Sequence, residues 1–319
     1  MLGFNRRLDR IQGRRTVFVV GNPIIKTLCA TVGFSDVTSA NIVGYSNKDL
    51  RGNGQLASAV FENVGVAKTI KVSELKITGY EEAYAGSGFD CMLTFTRMDE
   101  FGRTMEDPEL HGADACMFYF SATWDGENNK WNDPVWYDLD GNEVNAENDF
   151  TFDFGEGFWL NAPESIDGEV LKLVSSGQVV AEDYSYPLRG NGNVVANPAP
   201  IDVAVFDMGV SGYEEAYAGS GFDCMLTFTR MDEFGRTMED PELHGADACM
   251  FYFSATWDGE NGKWNDPVWY DLDGNEVTDR TAKLLSGEGV WCNAPESIAG
   301  ETLTLDFPSP LNTKVVDED

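Results

Sequence analysis

The sequence predicts an all-β protein of two tandem modules, each β-sandwich-like or barrel-like. Residues 79–144 return at 212–277 with an offset of 133 residues, and the 66 paired positions differ only at Asn129 against Gly262. A repeat of this length corresponds to a whole domain per copy. Many short apolar stretches are separated by turn signals, and no long stretch has the 3.6-residue period of a helix. We therefore expect β module 1 at 36–178 and β module 2 at 179–319, the second with a short C-terminal tail.

The chain is strongly acidic. Its 22 Lys and Arg residues stand against 54 Asp and Glu residues, which gives a net charge of −32. A field of this sign repels nucleic acid and anionic lipid, and it favours basic partners or divalent cations such as Ca²⁺. The only two histidines, His111 and His244, are copies of each other, so there is little material for imidazole chemistry. No apolar stretch is long enough to predict a membrane-spanning helix.

Residues 1–35 differ in charge from the rest of the chain. Residues 1–15 contain five arginines and one acidic residue, and residues 16–35 are mostly apolar with small residues towards the end. A basic segment followed by an apolar one is typical of a secretory signal. We therefore expect export, with the protein outside the cell or at its surface. The alternative is that residues 16–20 form an ordinary strand of the folded protein.

Short elements in the flanks of the repeat carry a resemblance. Residues 36–45 read DVTSANIVGY, and a Gly-Tyr opening, a G-x-G-F-W element and a G-E-V strand follow. In the first copy these are Gly44, Tyr45, Leu50, Gly52, Gly155, Gly157, Phe158, Trp159, Gly168, Glu169 and Val170. The second copy matches at Tyr184, Leu188, Gly190, Gly287, Gly289, Trp291, Gly300 and Glu301, and departs from the pattern at Val290. These residues resemble a family of uncharacterised exported bacterial β-rich repeat proteins. The resemblance implies an exported β-rich module and no particular activity.

Alternation places the strands of the repeat. One strand is predicted at 89–96, with Phe89, Cys91, Leu93 and Phe95 on one face, and another at 116–124, with Cys116, Phe118, Phe120, Ala122 and Trp124 on one face. Residues 125–130 predict a tight turn before a strand at Trp131, and Asp140-Gly141 predicts a hairpin. A strand at 169–174 ends the first module, and 175–183 is the expected linker.

Oxygen ligands alternate in the turn after the strand at 135–139. Asp138, Asp140 and Asn142, with their copies Asp271, Asp273 and Asn275, have the spacing of a calcium loop. An EF-hand loop needs Gly at its sixth position, where this chain has Glu143 or Glu276. A plain hairpin turn is the simpler alternative for these residues. Calcium bound by Asp99, Glu100, Glu106 and Asp107 in the acidic loop is a further one.

Tryptophans concentrate near the same turns. Trp124 shares a strand face with Phe118 and Phe120, so we expect it in the core. Trp131 and Trp136 flank an Asp-Pro loop, and they could stack against sugar rings together with their copies Trp264 and Trp269. Core or hairpin packing is the alternative role of these four side chains.

The cysteines also allow two interpretations. Cys91 and Cys116 fall on inward strand faces, as do their copies Cys224 and Cys249. In an exported protein each pair could form a disulfide within its module. Buried free thiols are the alternative, because a free Cys packs as a small hydrophobic residue. Cys292 replaces Leu160 of the first copy and has no partner in the repeat.

The sequence favours a class of protein, a structural or binding protein, over an enzyme. The sequence contains no glycine-rich phosphate loop, nucleophile elbow or zinc-protease motif, and its many carboxylates single out no acid–base pair. Duplication of a module favours multivalent binding or assembly. The repeat is nearly identical but its flanks differ, so we expect a shared core and different contact surfaces. We expect a non-enzymatic structural or assembly component of the cell surface or matrix, with itself or surface glycans as partner. The alternatives are a secreted carbohydrate-binding protein and, third, a glycosidase-like enzyme.

Overall fold

The computed structural model describes residues 43–58, 60, 69–179 and 182–309. The fold is all-β, as the sequence predicts, and two similar sets of sheets follow one another along the chain. The predicted signal at 1–35 and the C-terminal tail lie outside the described residues. Among the helices of the described part, none is long and apolar enough to cross a membrane.

Each strand of the first module has a counterpart in the second. The strands of module 1 are β1 (Val43–Leu50), β2 (Asn53–Ala57), β3 (Thr69–Lys71), β4 (Lys76–Thr78), β5 (Cys91–Thr96), β6 (Met117–Ala122), β7 (Trp124–Asp125), β8 (Lys130–Trp131), β9 (Val135–Tyr137), β10 (Thr151–Asp153), β11 (Phe158–Ala162) and β12 (Leu171–Gln178). Those of module 2 are β13 (Tyr184–Leu188), β14 (Asn191–Ala196), β15 (Val203–Ala204), β16 (Gly209–Ser211), β17 (Cys224–Thr229), β18 (Met250–Ala255), β19 (Trp257–Asp258), β20 (Lys263–Trp264), β21 (Val268–Tyr270), β22 (Lys283–Leu284), β23 (Gly289–Ala294) and β24 (Leu303–Phe307). The short helices are α1 (Tyr80–Ala83), α2 (Pro108–His111), α3 (Tyr213–Ala216) and α4 (Pro241–His244), with 3-10 turns at Val72–Glu74, Gly112–Asp114, Val205–Asp207 and Gly245–Asp247.

The same sheets are built twice. Module 1 contains a five-stranded sheet in the order β2-β11-β5-β6-β9 and a three-stranded sheet in the order β1-β12-β4. The corresponding sheets of module 2 run β14-β23-β17-β18-β21 and β13-β24-β16. The pairs β3–β10 and β7–β8, and their counterparts β15–β22 and β19–β20, complete the modules. Neighbouring strands in these sheets are antiparallel, which suits modules made of short consecutive strands.

The core of each module lies between its five-stranded and three-stranded sheets. Cys91, Leu93 and Phe95 share the inner face of β5, because side chains alternate along a strand. They cluster with Leu171 and Leu173 of β12 on the facing sheet. Module 2 repeats the cluster with Cys224, Leu226, Phe228, Leu303 and Leu305. Two facing sheets with an apolar layer between them form a β-sandwich.

Two predictions about strand faces are wrong. The sequence predicts Phe89 on the inner face, but β5 begins at Cys91 and Phe89 is 65% exposed. It also predicts Trp124 in the core, but Trp124 lies half-buried in the β7–β8 hairpin, opposite Trp131. In both cases the alternating pattern of the sequence continues past the residue at which the backbone leaves the sheet.

The two turn predictions are confirmed. The turn at 125–130 joins β7 to β8, with Asp125 opposite Lys130. At the Asp140-Gly141 turn, N of Gly141 donates to O of Asp138 at 3.0 Å, and Tyr137 forms a bridge with Glu143. The expected linker at 175–183 is too long, because β12 continues to Gln178 opposite Val43. The module boundaries themselves stay a prediction.

Candidate functional site at the interface between the modules

The two modules meet across an interface with approximate two-fold symmetry. Equivalent residues are separated by 138 positions before the repeat, 133 within it and 132 after it. The apolar cluster at the centre consists of Leu56, Met98 and Trp159 from module 1 and their equivalents Val194, Met231 and Trp291 from module 2. Equivalent surfaces therefore contact each other, which is the property of an isologous interface.

Two glycines make room for the two tryptophans. A Cβ atom on Gly54 would overlap the ring of Trp159 and would lie 2.7 Å from the carbonyl oxygen of Glu233 in the other module. A Cβ atom on Gly192 would overlap the ring of Trp291 and would lie 2.5 Å from the carbonyl oxygen of Glu100. Only glycine fits between a ring and a main-chain oxygen at this spacing.

Main-chain hydrogen bonds cross the interface in the same symmetric pattern. N of Gly54 donates to O of Glu233 at 3.2 Å, and the equivalent N of Gly192 donates to O of Glu100 at 3.1 Å. N of Ser58 donates to O of Gly287 at 3.2 Å, and the equivalent N of Ala196 donates to O of Gly155 at 2.9 Å. Isolated antiparallel bridges join Ala57 to Glu288 and Val195 to Glu156. The edge strands β2 and β14 thus satisfy polar groups that an unpaired sheet edge would leave open.

A bidentate ion pair fixes the start of each strand that approaches the interface. Arg97 donates Nε to Oε1 of Glu156 at 2.5 Å and Nη2 to Oε2 at 3.0 Å. In module 2, Arg230 donates Nε to Oε1 of Glu288 at 2.6 Å. Glu156 immediately precedes the β11 region and Glu288 precedes β23, so each pair holds a bridge residue in place. Bidentate arginine–carboxylate pairs are strong because both hydrogen bonds are charge-assisted.

Lys48 and Tyr186 break the symmetry. They occupy equivalent positions, since Lys48 lies opposite Leu173 and Tyr186 lies opposite Leu305. Nζ of Lys48 donates to the carbonyl oxygens of Leu56 at 3.2 Å and of Gly287 in module 2 at 3.0 Å.

The environments of these two side chains differ as well. Burial of the ammonium lowers the pKa of Lys48 to about 8, with Glu288 opposing the change and Arg51 adding to it. Burial raises the pKa of Tyr186, and the nearby Glu156 raises it further. One side of the interface therefore has a half-buried amine, and the other has a half-buried phenol.

An open cleft of about 920 Å³ lies beside the Tyr186 side of the interface. Its lining comes from both modules and includes Arg97, His111, Glu156, Tyr186 and Arg189. Arg97 is bound to Glu156, and the lining residue Arg103 is bound to Asp99 at 2.5 Å. Arg97 and Arg103 are thus neutralised by carboxylates of the cleft wall, and their ion pairs stabilise the wall.

The structure separates the four tryptophans that the sequence predicts as a sugar-binding set. Trp269 is 6% exposed and donates Nε1 to O of Met208 at 2.9 Å. Trp136 packs edge-on against Phe95 and Phe120, with ring centroids 5.0 and 5.4 Å apart. Trp269 is therefore too buried to stack against a sugar ring, whereas Trp136 is half-buried like Trp131, and its ligand role stays a prediction.

Trp131 and Trp264 remain available as candidates. Trp131 is half-buried, with its ring edge-on to Trp124 at 5.5 Å and to Tyr80 at 5.3 Å. Trp264 has the same arrangement with Trp257 and Tyr213. The β7–β8 hairpin lies near the Cys91 end of β5, and the interface lies near its Thr96 end. These ends are five residue steps apart, or roughly 17 Å.

The predicted calcium loops are turns whose acidic side chain bonds its own backbone. Oδ1 of Asp138 accepts from N of Asp140 at 3.1 Å and N of Asn142 at 2.8 Å. Desolvation raises the pKa of Asp138, but the hydrogen bonds from Asn142 and Asn148 outweigh it and lower the pKa overall. Asp271 makes the same turn with Asp273 and Asn275. The structure thus supports the hairpin alternative at these positions.

The acidic loop is used structurally as well. Asp99 accepts from N of Phe101 and N of Arg103, both at 2.9 Å, and Asp107 caps α2 through N of Glu109 at 2.8 Å. Across the residues that the structure describes, no group of three or more His, Cys, Asp or Glu side chains could hold a metal ion.

The predicted disulfides Cys91–Cys116 and Cys224–Cys249 are wrong. Cys91 and Cys116 are buried as predicted. Cys91 lies at one end of the β5–β6 ladder, opposite Ala122. Cys116 lies at the other end, next to Met117, which is opposite Thr96. The two residues are therefore six steps apart along the ladder, or about 20 Å. A disulfide needs Cα atoms within about 7 Å. All five cysteines of the described part, including Cys292, are free thiols.

The interface residues Gly54, Trp159 and Lys48 were not predicted as functional from the sequence. The sequence does contain a pattern that marks Gly54 and Trp159. The flanks of the repeat diverge, yet both copies have an Asn-Gly pair, at 53–54 and 191–192, and a Trp, at 159 and 291. Nothing in the sequence indicates Lys48, because its second copy is a tyrosine.

No family model, no curated protein and no solved structure matches this chain.

Substitution of Gly54 should test the packing of the interface. We expect Gly54→Ala to destabilise the protein by roughly 1–3 kcal/mol, because the added methyl overlaps the ring of Trp159. Urea unfolding measures the change, and Gly192→Ala should have a similar effect. Gly126→Ala is the matched control, since its Cβ would meet Trp124 at an ordinary 3.8 Å. Equal midpoints for Gly54→Ala and Gly126→Ala would contradict the described contact.

The pH dependence of stability should identify Lys48. The folded state releases the proton near pH 8, whereas the unfolded chain keeps it up to about 10.5, so the contribution of Lys48 to the free energy of unfolding should rise with pH between these values. The whole rise amounts to at most about 3.5 kcal/mol, at about 1.4 kcal/mol per pKa unit.

The difference between wild type and Lys48→Met isolates this contribution, since cysteine and tyrosine ionisation affects both proteins equally. The measurement is urea unfolding at pH 7.5, 8.5 and 9.5. Lys172→Met is the control, because the side chain of Lys172 is 41% exposed on the neighbouring strand β12. A difference curve that is flat over this range would show that the Lys48 ammonium is well solvated.

Proposed function

We propose that this chain is an exported, non-enzymatic structural component that assembles through pairing of its β modules. The observation that carries the proposal is the approximate two-fold interface, in which equivalent residues of two nearly identical modules contact each other. A surface that pairs with a copy of itself is the basic requirement for building assemblies from one kind of unit. The chain contains two such units.

The exposed surface supports the same proposal. Fourteen large hydrophobic side chains are exposed in the described part of the chain. Ten of them form equivalent pairs, namely Phe89 and Phe222, Met92 and Met225, Phe101 and Phe234, Leu110 and Leu243, and Ile166 and Ile298. Exposed apolar groups mark a contact surface where they form a contiguous patch. Each chain therefore presents the same apolar groups twice.

Particle size tests this function. We expect the mature chain, purified without denaturant, to form multi-chain particles whose mass by light scattering grows with protein concentration. The double variant Gly54→Ala/Gly192→Ala should form smaller particles, and Gly126→Ala/Gly259→Ala is the matched control. A single-chain mass for the wild type at every concentration would refute a structural role. Particles unaffected by the Gly54 and Gly192 changes would show that another surface assembles them.

Carbohydrate binding is the second candidate, and the half-exposed hairpin tryptophans favour it. Trp131 and Trp264 belong to equivalent hairpins that differ only at Asn129 against Gly262 and lie away from the interface, so a glycan with repeated units could engage both. Two linked sites can bind more tightly than one by about 10²–10⁴-fold.

Glycan-array screening followed by calorimetry tests this candidate. Binding of a polymeric glycan should weaken at least tenfold in Trp131→Ala and disappear in Trp131→Ala/Trp264→Ala. Phe89→Ser, which removes an exposed aromatic side chain outside the hairpin, is the control. Absence of any glycan binding by the wild type, or equal binding by the double variant, would eliminate this candidate.

A further inference from the structure

We propose that the interface between the modules also forms between chains, so that module 1 of one chain pairs with module 2 of a second copy. This inference rests on the proposed function, and it names both the partner and the surface. The partner is another copy of this chain, and the surface is the one that contains Trp159 and Trp291.

A second copy offers every group that the interface requires. The contacts from module 1 use Gly54, Ser58, Glu100 and Trp159, and those from module 2 use their equivalents Gly192, Ala196, Glu233 and Trp291. Each chain has both sets, so module 1 of one chain can make with module 2 of another the same hydrogen bonds that it makes with its own. Exchange of identical elements between protomers therefore needs no new surface.

The connection between the modules determines when exchange occurs. β12 ends at Gln178 and β13 begins at Tyr184, so few residues join the two modules. A short connection gives the partner module of the same chain an effective concentration in the millimolar range. Pairing within one chain is therefore favoured in dilute solution, and pairing between chains is favoured when the local protein concentration is comparable, as in a dense surface layer.

The asymmetric pair Lys48 and Tyr186 gives the assembly a direction. Pairing of module 1 with module 2 places one lysine at the carbonyl of Gly287 and one tyrosine beside Glu156. Pairing of two first modules would instead bury two ammonium groups, each of which costs free energy when it is desolvated. Pairing of unlike modules leaves a free module 1 at one end and a free module 2 at the other, so growth can continue.

Mixing two variants that each gain one cysteine tests the inference on the full chain. Ala57 and Glu288 form an antiparallel bridge, and their side chains are close enough for a disulfide when both are cysteine. Neither Ala57→Cys nor Glu288→Cys can close this bond within its own chain. A mixture of the two can form it only between chains. The mixture is diluted from urea at protein concentrations from micromolar to millimolar, oxidised, and resolved on a non-reducing gel.

We expect covalent dimers in the mixture, with a fraction that rises at least tenfold between the micromolar and millimolar samples, and none above wild-type background in either variant alone. The double variant Ala57→Cys/Glu288→Cys is the positive control, and in dilute solution it should form the bond within one chain. Val195→Cys with Glu156→Cys repeats the test at the equivalent bridge, where the Arg97–Glu156 pair is lost and the Arg230–Glu288 pair is kept, and a cooperative urea transition shows that each variant folds.

The outcomes separate this inference from the proposed function. Intrachain bonds in the double variants with no interchain bond in either mixture at millimolar concentration would overturn the inference. If the wild type still forms multi-chain particles in that case, assembly stands but uses another surface. If both double variants fold and neither closes its bond, the interface itself is wrong, and the inference falls with it.

Discussion

The fit of two tryptophan rings over two glycines is the contact on which the relation between the modules depends. Trp159 lies on the outer face of the five-stranded sheet, because its neighbours Phe158 and Leu160 point into the core. An outward tryptophan on a sheet would normally be exposed, yet Trp159 is only 9% exposed. It is covered because Gly54 on the neighbouring strand lets the loop at Glu233 approach within hydrogen-bonding distance. The same reasoning applies to Trp291, Gly192 and Glu100, so one packing solution is used twice.

Charge acts against this contact and explains where cations are placed. A net charge of −32 makes any approach of two parts of the chain costly. At the interface, Arg97 and Arg230 neutralise the glutamates that precede β11 and β23, and Lys48 adds a cation next to Glu288. Lys48 is largely desolvated, which is why its pKa falls despite the neighbouring carboxylate. The interface is thus held by main-chain bonds and apolar packing, with ion pairs that offset the repulsion around them.

The sequence was sufficient for the fold class and insufficient for the site, and the reason is physical. The alternation of apolar and polar residues around Leu93 and Phe95 indicates a strand with one face buried inside its own module. The inner strands and the sandwich could therefore be predicted. Alternation does not report where a strand ends, so Phe89 and Trp124 were misplaced. It also gives the face of a cysteine and not its position along the ladder, so Cys91 and Cys116 looked like partners although they lie at opposite ends of one ladder. Gly54 and Lys48 act across the interface, and a contact between modules leaves no periodic signal in either strand.

The distribution of differences between the two copies is best understood from this interface. The nearly identical block at 79–144 and 212–277 supplies the loop that contains Glu100 or Glu233 and less than half of the buried residues of each core cluster. The divergent flanks supply β1, β2 and β11, or β13, β14 and β23, which form the rest of the interface. Within these flanks the residues that must fit a ring, Gly54 and Gly192, are the same, whereas Lys48 and Tyr186 at the rim differ. Close packing therefore constrains the glycine and tryptophan positions to be the same, whereas Leu56 and Val194 in the central cluster differ in size and the rim differs in charge. An interface with the same glycine and tryptophan positions and an asymmetric rim pairs unlike modules in preference to like ones, which gives a duplicated chain a defined polarity.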